Sequence, residues 1–223
     1  MRPYLSAEWT KLRTDPVTGW LLAAVVALTV TLGVATAAAV SGPADPVKTS
    51  LTGVVLGQGV VVVLAVLTVG GEYGTGMMRT TLMAMPRRMW VLTAKAILVT
   101  ALVAGAGTVA VVVSLIGGDA GADAATLRAG FGSVLYLVLV ALLALGIAAA
   151  VRDSAAAVGA VLGLLYLFPL VATAVGDPDW QRRLRQAGPM DAGLAVQATT
   201  GLDRLPIGPW PGLGVLAAWA AAS

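Results

Sequence analysis

The chain has no cysteine and no histidine in its 223 residues. Without cysteine there is no disulfide, no thiol nucleophile and no thiolate metal site. Without histidine the commonest general base and metal ligand is missing. Charge is also scarce. Charged residues make up 11% of the chain, against about 25% in an average soluble domain, while 58% is hydrophobic. No G-x-x-x-x-G-K-[ST] phosphate loop occurs, so the chain carries no site of that type for binding ATP.

The few charges are not spread along the chain. They leave six uncharged stretches: residues 16–44, 49–71, 96–118, 129–151, 154–176 and 205–223. A bilayer core of about 30 Å needs roughly 20 apolar residues of helix. A water-soluble helix would carry charge on its outer face. The pattern therefore predicts an all-α, polytopic membrane protein forming a single domain over residues 1–223. Its six spans are expected at 17–40, 51–71, 96–118, 129–151, 155–176 and 211–223. Abundant alanine and glycine would let such helices pack closely. The first apolar run is longer than the roughly 7–15 residues of a signal-peptide core, so a retained first span is expected. Only 12 residues follow Pro211. They reach about 18 Å at 1.5 Å per residue, so a continuation of the chain beyond Ser223 is expected.

Between the spans, three segments stand out. Over residues 1–15, Leu5, Trp9 and Leu12 share one helical face, with Lys11 and Arg13 nearby. This reads as a short basic helix lying in the membrane interface, the alternative being a frayed tail. Residues 72–95 form a polar loop in which Thr75 can cap a short helix carrying Met77, Met78, Leu82 and Met85. Exposed methionines fit a protein-docking surface, or a loop helix sunk into lipid. Residues 177–210 are too long for a turn. Asp177-Pro178 is a helix start, Trp180 and Leu184 an apolar i, i+4 pair, and Gly188-Pro189 a break. Short helices capping the outer ends of the spans are expected there, against the alternative of a flexible loop.

Basic residues in short loops set orientation. With the N-terminus inside, the inner segments hold Arg2, Lys11, Arg13, Arg79, Arg87, Arg88, Lys95 and Arg152, while the short outer loops hold Lys48 and Arg128. The long segment 177–204 is formally neutral. A cytoplasmic N-terminus follows. A net charge of +3 reports this topology, not nucleic-acid binding, because no continuous basic face exists.

The expected spans contain no Asp, Glu, Lys, Arg or His in their interior, with Lys95 placed at a membrane edge. That argues against ion-coupled transport and proton pumping. Ser114 and Ser133 lack a base to activate them, and no pair of buried carboxylates is available. The lack of polar rings weighs against a channel. The chain itself is not expected to be an enzyme, nor to hold a cofactor or metal.

Glu8-Trp9-Thr10-Lys11-Leu12-Arg13 is similar to the opening of actinobacterial type-2 ABC-transporter permeases. Gly71-Glu72-Tyr73-Gly74-Thr75-Gly76, Arg79-Thr80-Thr81-Leu82, Pro86-Arg87-Arg88 and Ala94-Lys95 resemble the same family. The order of segments resembles it too: an interfacial elbow helix, two spans, a cytoplasmic coupling helix, then four spans with an external segment before the last. The resemblance implies a permease subunit of an ATP-driven exporter in a bacterial cytoplasmic membrane. It implies pairing with a second copy and with two cytoplasmic ABC ATPase subunits that bind ATP and Mg. ATPase coupling would fall to Glu72, Tyr73, Thr75, Met77, Met78, Arg79, Thr80, Thr81 and Leu82. The membrane-interface elbow would be Leu5, Trp9, Lys11, Leu12 and Arg13. Uncharged spans fit a hydrophobic or amphiphilic cargo such as a drug, antibiotic or lipid-like compound. The alternative is a non-transporting membrane sensor or scaffold that docks a cytoplasmic ATPase.

Overall fold

A computed structural model describes residues 2–40, 45–74 and 88–223, with side chains over 5–40, 45–71 and 89–223. The described residues are helical, with no strand among them. They form α1 (Arg2–Thr14), α2 (Pro16–Ala39), α3 (Pro46–Ser50), α4 (Val54–Gly74), α5 (Arg88–Gly117), α6 (Ala124–Val151), α7 (Ser154–Leu162), α8 (Phe168–Ala174), α9 (Pro178–Ala187), α10 (Pro189–Leu194) and α11 (Pro209–Ala222). Five stretches are long and apolar enough to cross a membrane: α2, α4, α5, α6, and α7 with α8 as one rod. The last helix, α11, has 14 residues, fewer than the roughly 20 a span requires.

Aspartates mark where the helices start. Asp15, Asp45, Asp123, Asp153 and Asp177 each accept a hydrogen bond from a backbone N–H of the helix that follows. Such a cap satisfies one of the donors that a first turn leaves unpaired, and costs about 1 kcal/mol to remove. Proline follows at the first helical position in α2, α3 and α9, where its missing N–H is harmless. The turn between α6 and α7 closes on Arg152, which takes a left-handed conformation (φ 61°).

Chain alternation gives the bundle two ends. The end holding α1 also holds the last turns of α4 and α6 and the first turns of α5 and α7. The opposite end holds α3, α9, α10 and the start of α11. At the centre stand α4 and α6, whose Val61, Val62, Ala65, Leu137, Val140 and Ala141 have no exposed surface. Around them α2 buries a narrow stripe, Thr18, Val25, Thr29 and Gly33. Small residues allow that contact. A Cβ on Gly53 would lie 1.8 Å from Thr29 O, and one on Gly33 would lie 2.2 Å from Ser50 O. The backbones of α2 and the α3–α4 corner therefore touch directly, as small-residue packing in membranes permits.

Three features of the helices were not part of the expected pattern. The helix of the third span begins at Arg88, ahead of the expected start at residue 96, and so takes in Lys95 near its beginning. Before the second span a single helical turn, α3, precedes α4. The fifth span is interrupted by a π-helical turn at Gly163–Leu167. Its cause is Pro169, which cannot donate to the helix behind it, so the ladder loosens just before it. Tyr166 in this turn donates its hydroxyl to Val55 O of α4, tying the two rods together.

Over residues 177–204 the expected short helices are present. Asp177 accepts from Asp179 N and Trp180 N at 2.8 and 3.3 Å, and Gly188 ends α9 before Pro189 opens α10.

Candidate functional site: the elbow end of the bundle

The most unusual chemistry among the described residues lies beneath α1. Lys95 is 3% exposed and Glu8 4%, values rare for charged residues unless they are paired. Lys95 Nζ donates to Glu8 Oε2 at 2.6 Å and to Thr68 O of α4 at 2.9 Å. Glu8 Oε1 accepts from Lys11 Nζ at 2.9 Å. One carboxylate thus joins α1 to α5, and the same ammonium reaches α4. A charge this deep in an apolar helix is costly when isolated and tolerable when partnered. The pairing explains why α5 runs through Lys95 instead of ending there.

A cleft of about 560 Å³ adjoins the pair. It is lined by Glu8, Lys11, Leu12, Leu67, Thr68 and Lys95, among others. Asp15 starts α2 beside it, with Oδ2 accepting from the Thr18 hydroxyl at 3.1 Å.

The sequence-selected elbow residues are all on α1. Leu5 and Leu12 are half-buried, Lys11 is half-exposed and ion-paired, Arg13 is exposed, and Trp9 is 46% exposed. The face of α1 that meets the bundle most closely is therefore the Glu8 side, while Trp9 lines a shallow cleft with Leu22 of α2 and Leu102 of α5. Glu72 and Tyr73 fall in the last turn of α4 by backbone. Thr75, Met77, Met78, Arg79, Thr80, Thr81 and Leu82 lie outside the described residues, as do Met85 and the proposed cap at Thr75.

Sequence reasoning missed Glu8 and Lys95 as a pair, although both belong to stretches it singled out. A signal was available for Lys95. Met89-Trp90-Val91-Leu92 before it is apolar, so the span could be extended backwards across a single charge.

The opposite end buries polar groups, and among the described residues no ion pair joins them. Tyr136 donates to Gln58 Oε1, and Gln58 Nε2 donates to Met190 Sδ at 3.4 Å. Gln197 Nε2 donates to Ser133 Oγ at 3.1 Å, and Arg128 donates to Ala198 O at 2.6 Å. Asp45 accepts from Thr199 N at 2.5 Å, Thr199 Oγ1 at 2.7 Å and Thr200 N at 3.0 Å. Burial opposes its ionisation, but the hydrogen bonds from Thr199, Lys48 and Thr200 outweigh that and hold its pKa below the usual carboxylate value. Among the described residues no three acidic side chains gather as a metal site would require.

No protein-family model matches the chain, and no curated protein matches it.

Proposed function

We propose that this chain is the membrane subunit of an ATP-driven exporter of the type-2 ABC kind. In this reading two copies pair in a bacterial cytoplasmic membrane with two cytoplasmic ATPase subunits. They move a hydrophobic or amphiphilic compound outward, and ATP and Mg bind on the partner subunits. The observation that carries the proposal is the meeting of Glu8 and Lys95. One comes from each of the two motif-bearing segments that resemble such permeases, and they join at 2.6 Å across 87 positions of chain.

The arrangement gives the proposed motion a route. Residues 75–87 link the end of α4 to the start of α5. A push delivered there by a closing ATPase reaches both helices at once. Through Lys95 and Glu8 it also reaches α1, so the elbow moves with the spans. The N-terminus is cytoplasmic in this reading, and residues 177–210 face outward.

Co-expression with an adjacently encoded ATPase tests it. The chain alone should hydrolyse no ATP. Met78→Asp with Leu82→Asp should abolish co-purification while leaving membrane insertion intact, because a charge would have to be desolvated in the docking cleft. Unchanged co-purification and transport would overturn the docking assignment. Single cysteines at Ala84 and Ala187 should be protected from and accessible to an impermeant external reagent, respectively. The reverse pattern would overturn the orientation.

A further inference from the structure

Among the described residues, three arginines of the segment 177–206 make no ion pair. Arg182 and Arg185 sit at i, i+3 on α9 and so share a face. Arg204 lies on the short 3-10 turn Leu202–Arg204. All three line one cleft of about 380 Å³, together with Gln181 and with Asp203 as the single carboxylate on its wall. Among the described residues no carboxylate lies within ion-pair distance of these three guanidinium groups. Asp191 feels Arg185: burial pushes its carboxyl up and the arginine draws it back. The two are nonetheless too far apart to pair.

Both walls of the cleft are held in place. Gln186 Nε2 donates to Pro206 O at 2.6 Å, fixing the 202–206 turn against α9. Trp219 Nε1 of α11 donates to Ala187 O at 3.0 Å, fixing the end of α9. An open cleft that keeps three guanidinium groups beside one carboxylate is short of negative charge. Guanidinium forks match the oxygens of a phosphate in paired, charge-assisted hydrogen bonds.

We propose that this cleft binds a phosphate group, and that its source is the headgroup of an anionic phospholipid. Exposed aromatic residues on the same segment, 177–210, favour the lipid source over a free ion. Trp180 is 57% exposed and Trp210 51%, and Arg183 stacks 5.6 Å from the Trp180 ring centroid. Exposed tryptophans beside basic residues are the pattern of a segment at headgroup depth. The inference needs neither transport nor a particular orientation, since both leaflets present phosphates.

The test uses the full chain in nanodiscs of phosphatidylcholine with and without phosphatidylglycerol, with lipid retention read by native mass spectrometry. Titration with inorganic phosphate forms a second arm. The triple variant Arg182→Gln, Arg185→Gln, Arg204→Gln should retain phosphatidylglycerol on the order of tenfold less well. Asp203→Asn should retain it roughly two- to fivefold better, because a competing negative charge is gone. This gain-of-binding variant keeps the test decisive if the triple variant fails to fold. Binding of inorganic phosphate alone, with the same dependence on these residues, would keep the phosphate site and replace lipid by a free anion as its source. Retention and phosphate binding that ignore the arginines, or ignore Asp203→Asn where the triple variant does not fold, would overturn the proposal.

Discussion

At the elbow end, a carboxylate on α1 meets an ammonium on α5, and the same ammonium also reaches a carbonyl of α4. At the opposite end of the bundle, the cap end that holds α3, α9 and α10, the same task of burying polar groups falls to amides, hydroxyls and a tethered carboxylate. Gln58 meets Tyr136, Gln197 meets Ser133, and Asp45 holds residues 199 and 200. The difference lies in how each arrangement fails. A typical neutral hydrogen bond contributes about 1 kcal/mol net, so the cap end loosens one bond at a time. A buried ion pair contributes little over an apolar substitute, but losing one partner costs about 3–5 kcal/mol. The elbow end therefore includes a contact in which losing one partner costs more than losing both.

Removing one partner of the pair should have the largest effect. Glu8→Gln should destabilise the protein by about 3 kcal/mol, because Lys95 then loses the carboxylate it meets at 2.6 Å. Lys95→Met should cost less, since Glu8 keeps Lys11. The double variant should recover part of the loss. Chemical unfolding in detergent, arranged as a double-mutant cycle, measures the coupling. A coupling energy near zero would mean that the elbow is held by apolar contacts instead, and the contrast between the two ends would disappear.

A smaller effect is expected in the central core near the cap end. Tyr136→Phe should cost about 1–2 kcal/mol, the desolvation cost of a Gln58 oxygen left without its donor. Gln58→Leu alone should cost a similar amount through the orphaned hydroxyl. The pair Tyr136→Phe with Gln58→Leu should cost less than the sum, because no buried polar atom of that contact is left unpaired. Strict additivity, read from the same unfolding measurement, would show that the hydroxyl and the amide do not depend on each other.

These contrasts also show what could be seen in the sequence. The positions of the five long helices were legible because charge is excluded from lipid-facing helix and collects at the gaps. The helices of 177–204 were legible through Asp177-Pro178 and Gly188-Pro189, which are local stop and start signals. The pairing of Lys95 with Glu8 was not legible, because a local pattern cannot see a partner 87 positions away. Asp45 shows the same limit. Its role as cap of α3 is local, since Lys48 N is three residues on, but its hold on Thr199 and Thr200 exists only once α3 and the 198–200 turn are brought together. The π turn had a visible signal in Pro169, which sits inside an otherwise uninterrupted apolar run. The residues expected to couple to an ATPase, from Thr75 to Leu82, lie outside the described residues, so the fold leaves their part in the reading to the docking variants.

The smallest effect is expected at Asp45, and it should depend on pH. Its folded pKa is lowered, because the hydrogen bonds from Thr199, Lys48 and Thr200 favour the carboxylate more than burial disfavours it. A group with a depressed folded pKa contributes stability that is present above its unfolded value, about 3.9, and is lost as pH falls through the folded value. The strap between the α3 corner and residues 199–200 should therefore hold at neutral pH and loosen only below about pH 4. Asp45→Asn should cost about 1 kcal/mol at pH 7, because an amide has one acceptor oxygen where the carboxylate has two. The cost should shrink as the pH is lowered, since the protonated native aspartate has also lost an acceptor. Thr199→Val should lose the side-chain bond alone and show a weaker version of the same trend. Hydrogen exchange at the Thr199 and Thr200 amides reads the strap directly. Exchange that is unchanged by Asp45→Asn, or equally fast at pH 7 and below pH 4 once corrected for intrinsic rates, would mean that the carboxylate does not hold this loop.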